Sequence, residues 1–195
     1  DTIQSVQAQT YSDIEHVIQD GASTDGTLER IAETSDATIA LVSERDHGIY
    51  DAINRGIERA SGDVIGLMHS DDFFAGSEVL NKVAAKFADP RIDGVYGDLQ
   101  YVSASDTRRV VRHWTSGEYN SRMLARGWMP PHPTLYLRRE VFERFGLYDT
   151  SFKIAADYDA MLRYLVKGNI RLAYIPEVLV KMRLGGESNR SLANF

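Results

Sequence analysis

An amphipathic helix bounded on both sides by strand-length apolar runs restricts this chain more than any other feature of its sequence. Ile49, Ala52, Ile53, Gly56, Ile57 and Ala60 recur at i, i+3, i+4, i+7, i+8 and i+11, one buried stripe with small residues where another element packs closely. Thr38 to Ser43 reads as a strand before the helix, and a second strand begins at Asp63 after it. A helix of that length between two strands is the right-handed crossover of a parallel pair. A similar unit precedes it, with a strand over Ile14 to Asp20, a small-residue loop over Gly21 to Thr27 and a helix over Leu28 to Ala37. Two such units in succession predict an α/β sheet that binds its ligand at the carboxyl ends of the strands.

Acidic side chains collect on that edge. Asp20 ends the first strand, Asp46 follows the second, and the run Val64, Ile65, Leu67, Met68 leads through His69 and Ser70 into Asp71 and Asp72. The apolar run suits a strand buried on both faces of a parallel sheet. Paired carboxylates are hard oxygen ligands, suited to Mg²⁺ or Mn²⁺ carrying a diphosphate rather than to zinc. Ser-Asp-Asp is also ordinary turn chemistry, and Asp25 or Ser23 in the small-residue loop also suits a simple helix cap. Convergence of three acidic clusters on one edge favours a site. The loop after Asp20 lets backbone amides approach a ligand closely, and Asp20 can accept hydrogen bonds from a base or ribose.

Downstream, Asp1 to Thr10 at the chain start reads as the end of an amphipathic helix, and Glu78 to Ala88 as another that Asp89-Pro90 stops. Gly94 to Gly97 is a short strand, and Leu99 to Ser103 with Arg109 to Trp114 forms a hairpin. Met129-Pro130-Pro131-His132-Pro133 is extended and stiff, fixing His132 before a strand over Thr134 to Arg138. His132 there either contacts a substrate or diphosphate, or is solvent-exposed or held in a structural hydrogen bond. A helix over Arg139 to Phe145 ends at Gly146. A further helix opens on Asp157 and Asp159, with Met161, Leu162, Leu165 and Val166 expected inward and Asp159 with Arg163 as a surface i, i+4 pair. Strands over Arg171 to Ile175 and Val178 to Arg183 follow, then a Gly185-Gly186-Glu187-Ser188-Asn189 loop.

Bulk properties narrow the partners. With 22 Lys and Arg against 28 Asp and Glu, the net charge of −6 argues against nucleic-acid binding. Absence of cysteine removes disulfides and thiolate metal sites and fits a reducing, cytoplasmic compartment, with peripheral contact at the inner face of the membrane left open. No run is long enough to span a bilayer.

Five pieces in order resemble the family 2 glycosyltransferases of GT-A fold: Glu15-His16-Val17-Ile18-Gln19-Asp20-Gly21-Ala22-Ser23-Thr24-Asp25-Gly26-Thr27, Asp46-His47-Gly48-Ile49-Tyr50-Asp51-Ala52-Ile53-Asn54-Arg55-Gly56, Ser70-Asp71-Asp72, Tyr96-Gly97-Asp98 and Ala156-Asp157-Tyr158-Asp159. The resemblance covers nearly the whole chain. It implies a Rossmann-like, mixed but mostly parallel sheet flanked by helices. It also implies one domain over residues 1–195, with 1–98 as the nucleotide-sugar half and 99–195 as the acceptor half. It further implies transfer of a sugar, UDP-linked by expectation, to an acceptor hydroxyl with inversion, in polysaccharide or glycoconjugate synthesis. The acceptor is a saccharide or lipid-linked saccharide.

Position by position, Asp20, Ser23 and Asp46 resemble the residues that hold the donor nucleotide, with Asp72 and His132 as neighbours of the donor. Asp71 matches the last aspartate of the family's Asp-x-Asp metal motif, and Asp157 its catalytic base. His69 stands where the first aspartate is usual, and imidazole tolerates Mn²⁺ better than Mg²⁺. Family members also begin with an apolar strand ahead of the helix seen at Asp1 to Thr10, so a chain truncated at both ends, with one strand fewer, is the expectation. Two rivals remain at this level: a sugar nucleotidyltransferase with related metal chemistry, and a non-catalytic nucleotide-sugar-binding module.

Overall fold

A computed structural model describes residues 1–35, 39–124 and 126–185. The first half follows the expected alternation: α1 (Thr2–Gln7), β1 (His16–Asp20), α2 (Thr27–Thr34), β2 (Ile39–Ser43), α3 (Ile49–Arg59) and β3 (Val64–Gly66). After it come β4 (Phe73–Phe74), α4 (Val79–Phe87), β5 (Gly94–Val102), β6 (Val110–Trp114), α5 (Ser121–Leu124), β7 (Tyr136–Arg138), α6 (Arg139–Phe145), α7 (Ala156–Leu162) and β8 (Leu172–Arg183). Ala37, Thr38 and the loop from Gly186 to Asn189 lie outside the described residues.

Among the described residues the strands form two sheets rather than one. β1 and β2 pair in parallel with Asp20 opposite Ser43. The larger sheet runs β3-β7-β5-β8-β4, with β6 beside β5. Only β5 with β8 is parallel in it, while β3 with β7, β5 with β7, β4 with β8 and β5 with β6 are antiparallel. The mixed α/β class stands, but the expected predominance of parallel strands does not. The chain returns to the sheet through turns as well as helices, and β7 slots antiparallel between β3 and β5.

The strand leading to the acidic motif is shorter than its apolar run suggests. β3 hydrogen-bonds only to β7, through Val64 with Arg138, Ile65 with Leu137 and Gly66 with Tyr136. A side chain at Gly66 would overlap the Tyr136 ring, so the residue there must be glycine for β7 to approach. The ladder stops at Gly66, and Leu67 and Met68 are already irregular, leading into the turn that presents the motif.

β5 is the central strand and buried almost throughout. Val95, Leu99 and Tyr101 pack with Val6, Val79 and Val83 of α1 and α4 on one side. Tyr96 on the other side joins Ile57, Val141, Phe142, Met161 and Tyr164 from α3, α6, α7 and the turn after α7. Burial on both faces explains why the stretches expected as 94–97 and 99–103 are one strand. Likewise 171–175 and 178–183 merge into β8, where register shifts opposite Gly97 and Asp98 absorb Pro176, which has no amide to donate.

Two helix faces and one ion pair differ from expectation. Ile49 heads the α3 stripe yet is 47% exposed, whereas Ile57 is buried. α7 runs on into a π turn over Arg163–Lys167, and the buried stripe passes through Ala156, Ala160, Met161, Tyr164 and Leu165, so the small alanines and the Tyr164 ring face the core while Leu162 and Val166 are exposed. Arg163 is more than half of a surface pair. Besides Asp159 at 2.8 Å, its guanidinium donates to the carbonyls of Phe145 at 2.5 Å and Leu147 at 2.7 Å, satisfying the open end of α6.

Asn54 of α3 clamps the next residue, donating to the Tyr148 carbonyl at 2.8 Å and accepting from its amide at 3.0 Å. Asn54→Ala leaves both backbone groups of a buried residue unpaired. The expected loss is about 2 kcal/mol or more of unfolding free energy, read from urea midpoints at unchanged slope.

Candidate active site

Pairing of β1 with β2 brings the first two acidic positions together. Asp20 is buried, and its Oδ2 accepts from the Ser23 amide at 2.9 Å and the Ser43 hydroxyl at 2.6 Å. Burial works against the charged carboxyl, but these hydrogen bonds outweigh it and hold Asp20 below its ordinary value. Asp46 accepts from the Gly48 amide at 2.9 Å. A Cβ on Gly21 would lie 2.5 Å from Asp46 Oδ2, so that carboxylate rests directly on the Gly21 backbone. Ala22 between Gly21 and Ser23 has φ of 64°, a left-handed conformation uncommon for a residue with a side chain. Asp20, Ser23 and Asp46 thus line one rigid loop pair.

The acidic motif is held from α1. Thr2 Oγ1 lies 2.8 Å from the Ser70 carbonyl and 2.7 Å from that of Asp72, gripping the backbone on both sides of Asp71. The Asp72 amide closes the turn onto the His69 carbonyl at 3.1 Å. This turn sends neighbouring aspartates in different directions. Asp71 is half-buried, while Asp72 is 1% exposed and faces the core. Neither Asp72 oxygen has a partner in hydrogen-bonding geometry among the described residues. Burial, then the charge of Asp71, pushes Asp72 up to about 7, only partly offset by the Arg183 amide and guanidinium.

His69 and His132 lie together, ring centroids 6.2 Å apart. The polyproline stretch is not extended at the histidine. A 3₁₀ turn over His132–Thr134 is closed by the Thr134 amide on the Pro131 carbonyl at 2.8 Å, and the strand starts only at Tyr136. That turn aims His132 Nε2 at the Tyr148 hydroxyl, 2.8 Å away. Burial lowers both imidazoles, against the upward pull of Asp71 and Asp157 on His69 and of Asp157 on His132. Both are therefore neutral near pH 7, the form in which imidazole binds metal or accepts a hydrogen bond.

Asp157 opens α7 behind Ala155, another left-handed alanine with φ of 70°. Its Oδ1 accepts from the Tyr158 amide at 2.9 Å and the Tyr50 hydroxyl at 3.3 Å. The other oxygen carries no hydrogen bond among the described residues. Tyr50 stacks on Tyr148 with centroids 5.9 Å apart, so Tyr50, Tyr148 and His132 form a continuous wall beside the carboxylate. Burial, reinforced by the charge of Asp157, raises the Tyr50 phenol and keeps it a donor.

The structure therefore gathers His69, Asp71, His132 and Asp157 in one region and Asp20, Ser23 and Asp46 in another. α3 links them, because its entry carries Asp46 and its first turn carries Tyr50. Asp72 stands apart in the core. Among the described residues, no group of three or more His, Asp or Glu side chains is placed to hold a metal ion by itself. Thr2, Tyr50, Asn54 and Tyr148 were not singled out from the sequence. Tyr50 and Asn54 do stand inside the 46–56 piece, at i, i+4 on one helix face.

Mixed α/β layers with acidic loops after β1, β2 and β3 place the chain in the GT-A fold class. S. aureus TarS 1-349 in complex with UDP-GlcNAc superposes with a TM-score of 0.76 over 100% of this chain and 57% of that one, at 20% identity. The Pyrobaculum calidifontis mannosyltransferase PcManGT, in complex with GDP-Man and Mn²⁺, gives 0.69 over 96% of this chain and 53% of that one, at 23% identity. The chain belongs to glycosyl transferase family 2, whose model matches residues 1–149.

Among curated relatives, an uncharacterized glycosyltransferase of Mycobacterium tuberculosis is 32% identical over 165 residues, 83% of this chain. A PGL/p-HBAD biosynthesis glycosyltransferase of Mycobacterium bovis is 29% identical over 192 residues, 96% of this chain. The chain spans 62% of the length of the first relative and 72% of the second.

Proposed function

We propose that this protein transfers a sugar from a nucleoside diphosphate, UDP by preference, to an acceptor hydroxyl with inversion at the anomeric carbon. One observation carries the reading: a single carboxylate, Asp157, has one oxygen fixed by Tyr50 and Tyr158 and the other free, in the region that also holds Asp71. The free oxygen takes the acceptor proton as the acceptor oxygen bonds to the anomeric carbon. The bond from that carbon to the diphosphate oxygen breaks, its electron pair leaving with the nucleotide. Asp20, Ser23 and Asp46 hold the nucleotide in this reading.

Asp71 and neutral His69 offer two donors that would hold Mn²⁺ or Mg²⁺. Bound there, such an ion supplies positive charge to the departing diphosphate. TarS with UDP-GlcNAc and PcManGT with GDP-Man and Mn²⁺ support the donor class and the metal. Family membership favours transfer over the nucleotidyltransferase alternative. The biosynthetic role named for the M. bovis relative supports a biosynthetic role here, in polysaccharide or glycoconjugate synthesis. We place the activity in one domain over residues 1–195, in the cytoplasm or at the inner face of the membrane. Among the described residues no helix is long and apolar enough to cross a membrane.

A screen of UDP- and GDP-sugars for thermal stabilisation with and without Mn²⁺ tests the donor reading. The expected result is a rise in melting temperature with one donor that needs the metal. In Asp71→Ala the metal-dependent part of that rise disappears, leaving about the stabilisation seen with donor and EDTA. Equal stabilisation of both forms would take Asp71 out of the metal site. A purely non-catalytic module would bind the donor yet neither hydrolyse nor transfer it.

A further inference from the structure

Three consecutive peptide units around Asp71 are each tied down by a hydrogen bond. Thr2 Oγ1 donates to the Ser70 carbonyl at 2.8 Å and to the Asp72 carbonyl at 2.7 Å, sharing its one proton between them. The unit in the middle is held by the Asp72 amide, which donates to the His69 carbonyl at 3.1 Å. A peptide unit is planar, so a directed hydrogen bond to its carbonyl or from its amide restrains the orientation of the whole unit. The backbone torsions of Asp71 and Asp72 lie between these three units, and the directions of both side chains follow from them. Asp71 is left half-buried and Asp72 is turned into the core. The turn is held against a cost, because Asp72 is buried with neither oxygen hydrogen-bonded among the described residues. A turn free to rotate would carry that carboxyl toward water and turn Asp71 away with it. Two of the three restraints come from Thr2.

Thr2 is itself fixed. It opens α1, which is anchored by buried Val6 and docked along the segment that follows the motif. Ser5 Oγ donates to the Thr2 carbonyl at 2.8 Å and accepts from the Phe74 amide at 3.2 Å. Further along, the Gln9 side chain donates to the Gly76 carbonyl at 2.8 Å and accepts from the Leu80 amide at 3.1 Å, and the Thr10 amide donates to the Ser77 carbonyl at 2.9 Å. Thr2, Ser5 and Gln9 are spaced i, i+3 and i+7, so one polar side faces residues 70–80.

We propose that Thr2 is a positioning residue for the metal: its hydroxyl orients Asp71, and thereby sets the affinity for the divalent cation and, through the cation, for the nucleoside diphosphate. The inference rests on the reading of Asp71 as a metal ligand. Thr2 acts only through the two carbonyls it holds, without contact to the cation or the nucleotide. Partners that orient a metal ligand from behind typically change metal affinity by about 10–100-fold when they are removed. Valine is close to threonine in shape and lacks the hydroxyl, so Thr2→Val removes the restraint with little change in packing.

The probes are UDP and GDP, each titrated calorimetrically into the protein with Mn²⁺ and again in EDTA, a readout that needs no turnover. The parent is expected to bind one of them more tightly with Mn²⁺ than in EDTA. In Thr2→Val the affinity with Mn²⁺ falls about tenfold or more toward the EDTA value, while the affinity in EDTA matches the parent. Thr2→Ser, which restores the hydroxyl, binds as the parent does. Gln9→Met is the structural control: it removes two hydrogen bonds of the same docked segment, lowers the urea midpoint at least as far as Thr2→Val, and leaves nucleotide binding with Mn²⁺ unchanged. Hydrogen exchange at the Asp72 amide, measured without metal, is expected to be faster in Thr2→Val than in the parent.

Parent-like affinity of Thr2→Val with Mn²⁺, or unchanged exchange at the Asp72 amide, overturns the proposal. So does an equal loss in EDTA or in Gln9→Met, either of which would make the effect one of α1 docking in general. Should Thr2→Val not fold, Thr2→Ala is measured in its place against the same outcomes. A parent that binds neither nucleotide more tightly with Mn²⁺ than in EDTA would instead sink the metal reading of Asp71, and this proposal with it, whereas loss of the Mn²⁺ effect in Asp71→Ala but not in Thr2→Val sinks the role of Thr2 alone.

Discussion

Asp157→Asn is expected to lower sugar transfer by about 10²–10⁴-fold while leaving donor affinity within a few-fold of the parent. The substitution keeps an oxygen for the Tyr158 amide and the Tyr50 hydroxyl, so the start of α7 stays in place. It removes the basic oxygen, which is the property under test. Initial rates with the donor found by thermal stabilisation, combined with calorimetric titration of that donor, separate the two effects. Tyr50→Phe provides the contrast: it deletes one hydrogen bond to the carboxylate without deleting the base, so its loss of kcat is expected to be far smaller. Transfer by Asp157→Asn at the parent rate would remove Asp157 from the role of base.

Alkaline pH is expected to unfold the protein steeply. Tyr96, Tyr136, Tyr148 and Tyr164 are no more than 7% exposed, and burial raises all four phenols above their ordinary value, Tyr164 to about 12. Three of the hydroxyls are also engaged: Tyr96 donates to the Gly117 carbonyl at 2.7 Å, Tyr164 to the Gly146 carbonyl at 2.7 Å, and Tyr148 pairs with His132. In the unfolded chain each ionises near pH 10. A folded value above the unfolded one means that the native state holds more protons over the interval between them, so stability falls as pH rises.

The stabilising contribution is complete below about pH 10 and is lost above it. Four such groups give a slope of about 5 kcal/mol per pH unit, against a total stability typically of ~5–15 kcal/mol. Unfolding within one or two pH units above 10 follows. The check is tyrosinate absorbance and circular dichroism on the same samples. The buried tyrosines should ionise together with loss of secondary structure. Smooth titration near pH 10 with the fold intact would mean that these rings reach solvent in the native state.

Both results depend on features that differ in how far the sequence reveals them. The crossover units were legible because hydrophobic periodicity is local: the α3 stripe and the strands on either side of it are set by neighbouring residues. Strand pairing was less so. Whether β3 meets a parallel or an antiparallel neighbour depends on β7, which lies far along the chain, and on Gly66 leaving room for the Tyr136 ring. The buried face of α7 differs from expectation for a similar reason: Ala160, Met161, Tyr164 and Leu165 have the same helical spacing as Met161, Leu162, Leu165 and Val166, and only the elements packed against the helix select between the two faces.

The site divides along the same line. Aspartates that follow strands can be read directly, which marks Asp20, Asp46 and Asp71, whereas Asp157 at the start of α7 is marked by its likeness to the family motif. Their order in the chain also carried the likeness to family 2. Tertiary structure alone decided which of the carboxylates are buried. Asp71 and Asp72 are adjacent and chemically identical, yet the turn held by Thr2 leaves the first half-buried and places the second in the core. Only the packing of α3 against α7 could put the Tyr50 hydroxyl on Asp157, across 107 positions of sequence. The sequence by itself determined the crossover units and the acidic groups that follow their strands, because strand ends and hydrophobic stripes are properties of a few consecutive residues. Orientation and company of each group were decided by contacts between distant segments, because a side chain's direction, burial and hydrogen-bond partners exist only once the layers have closed.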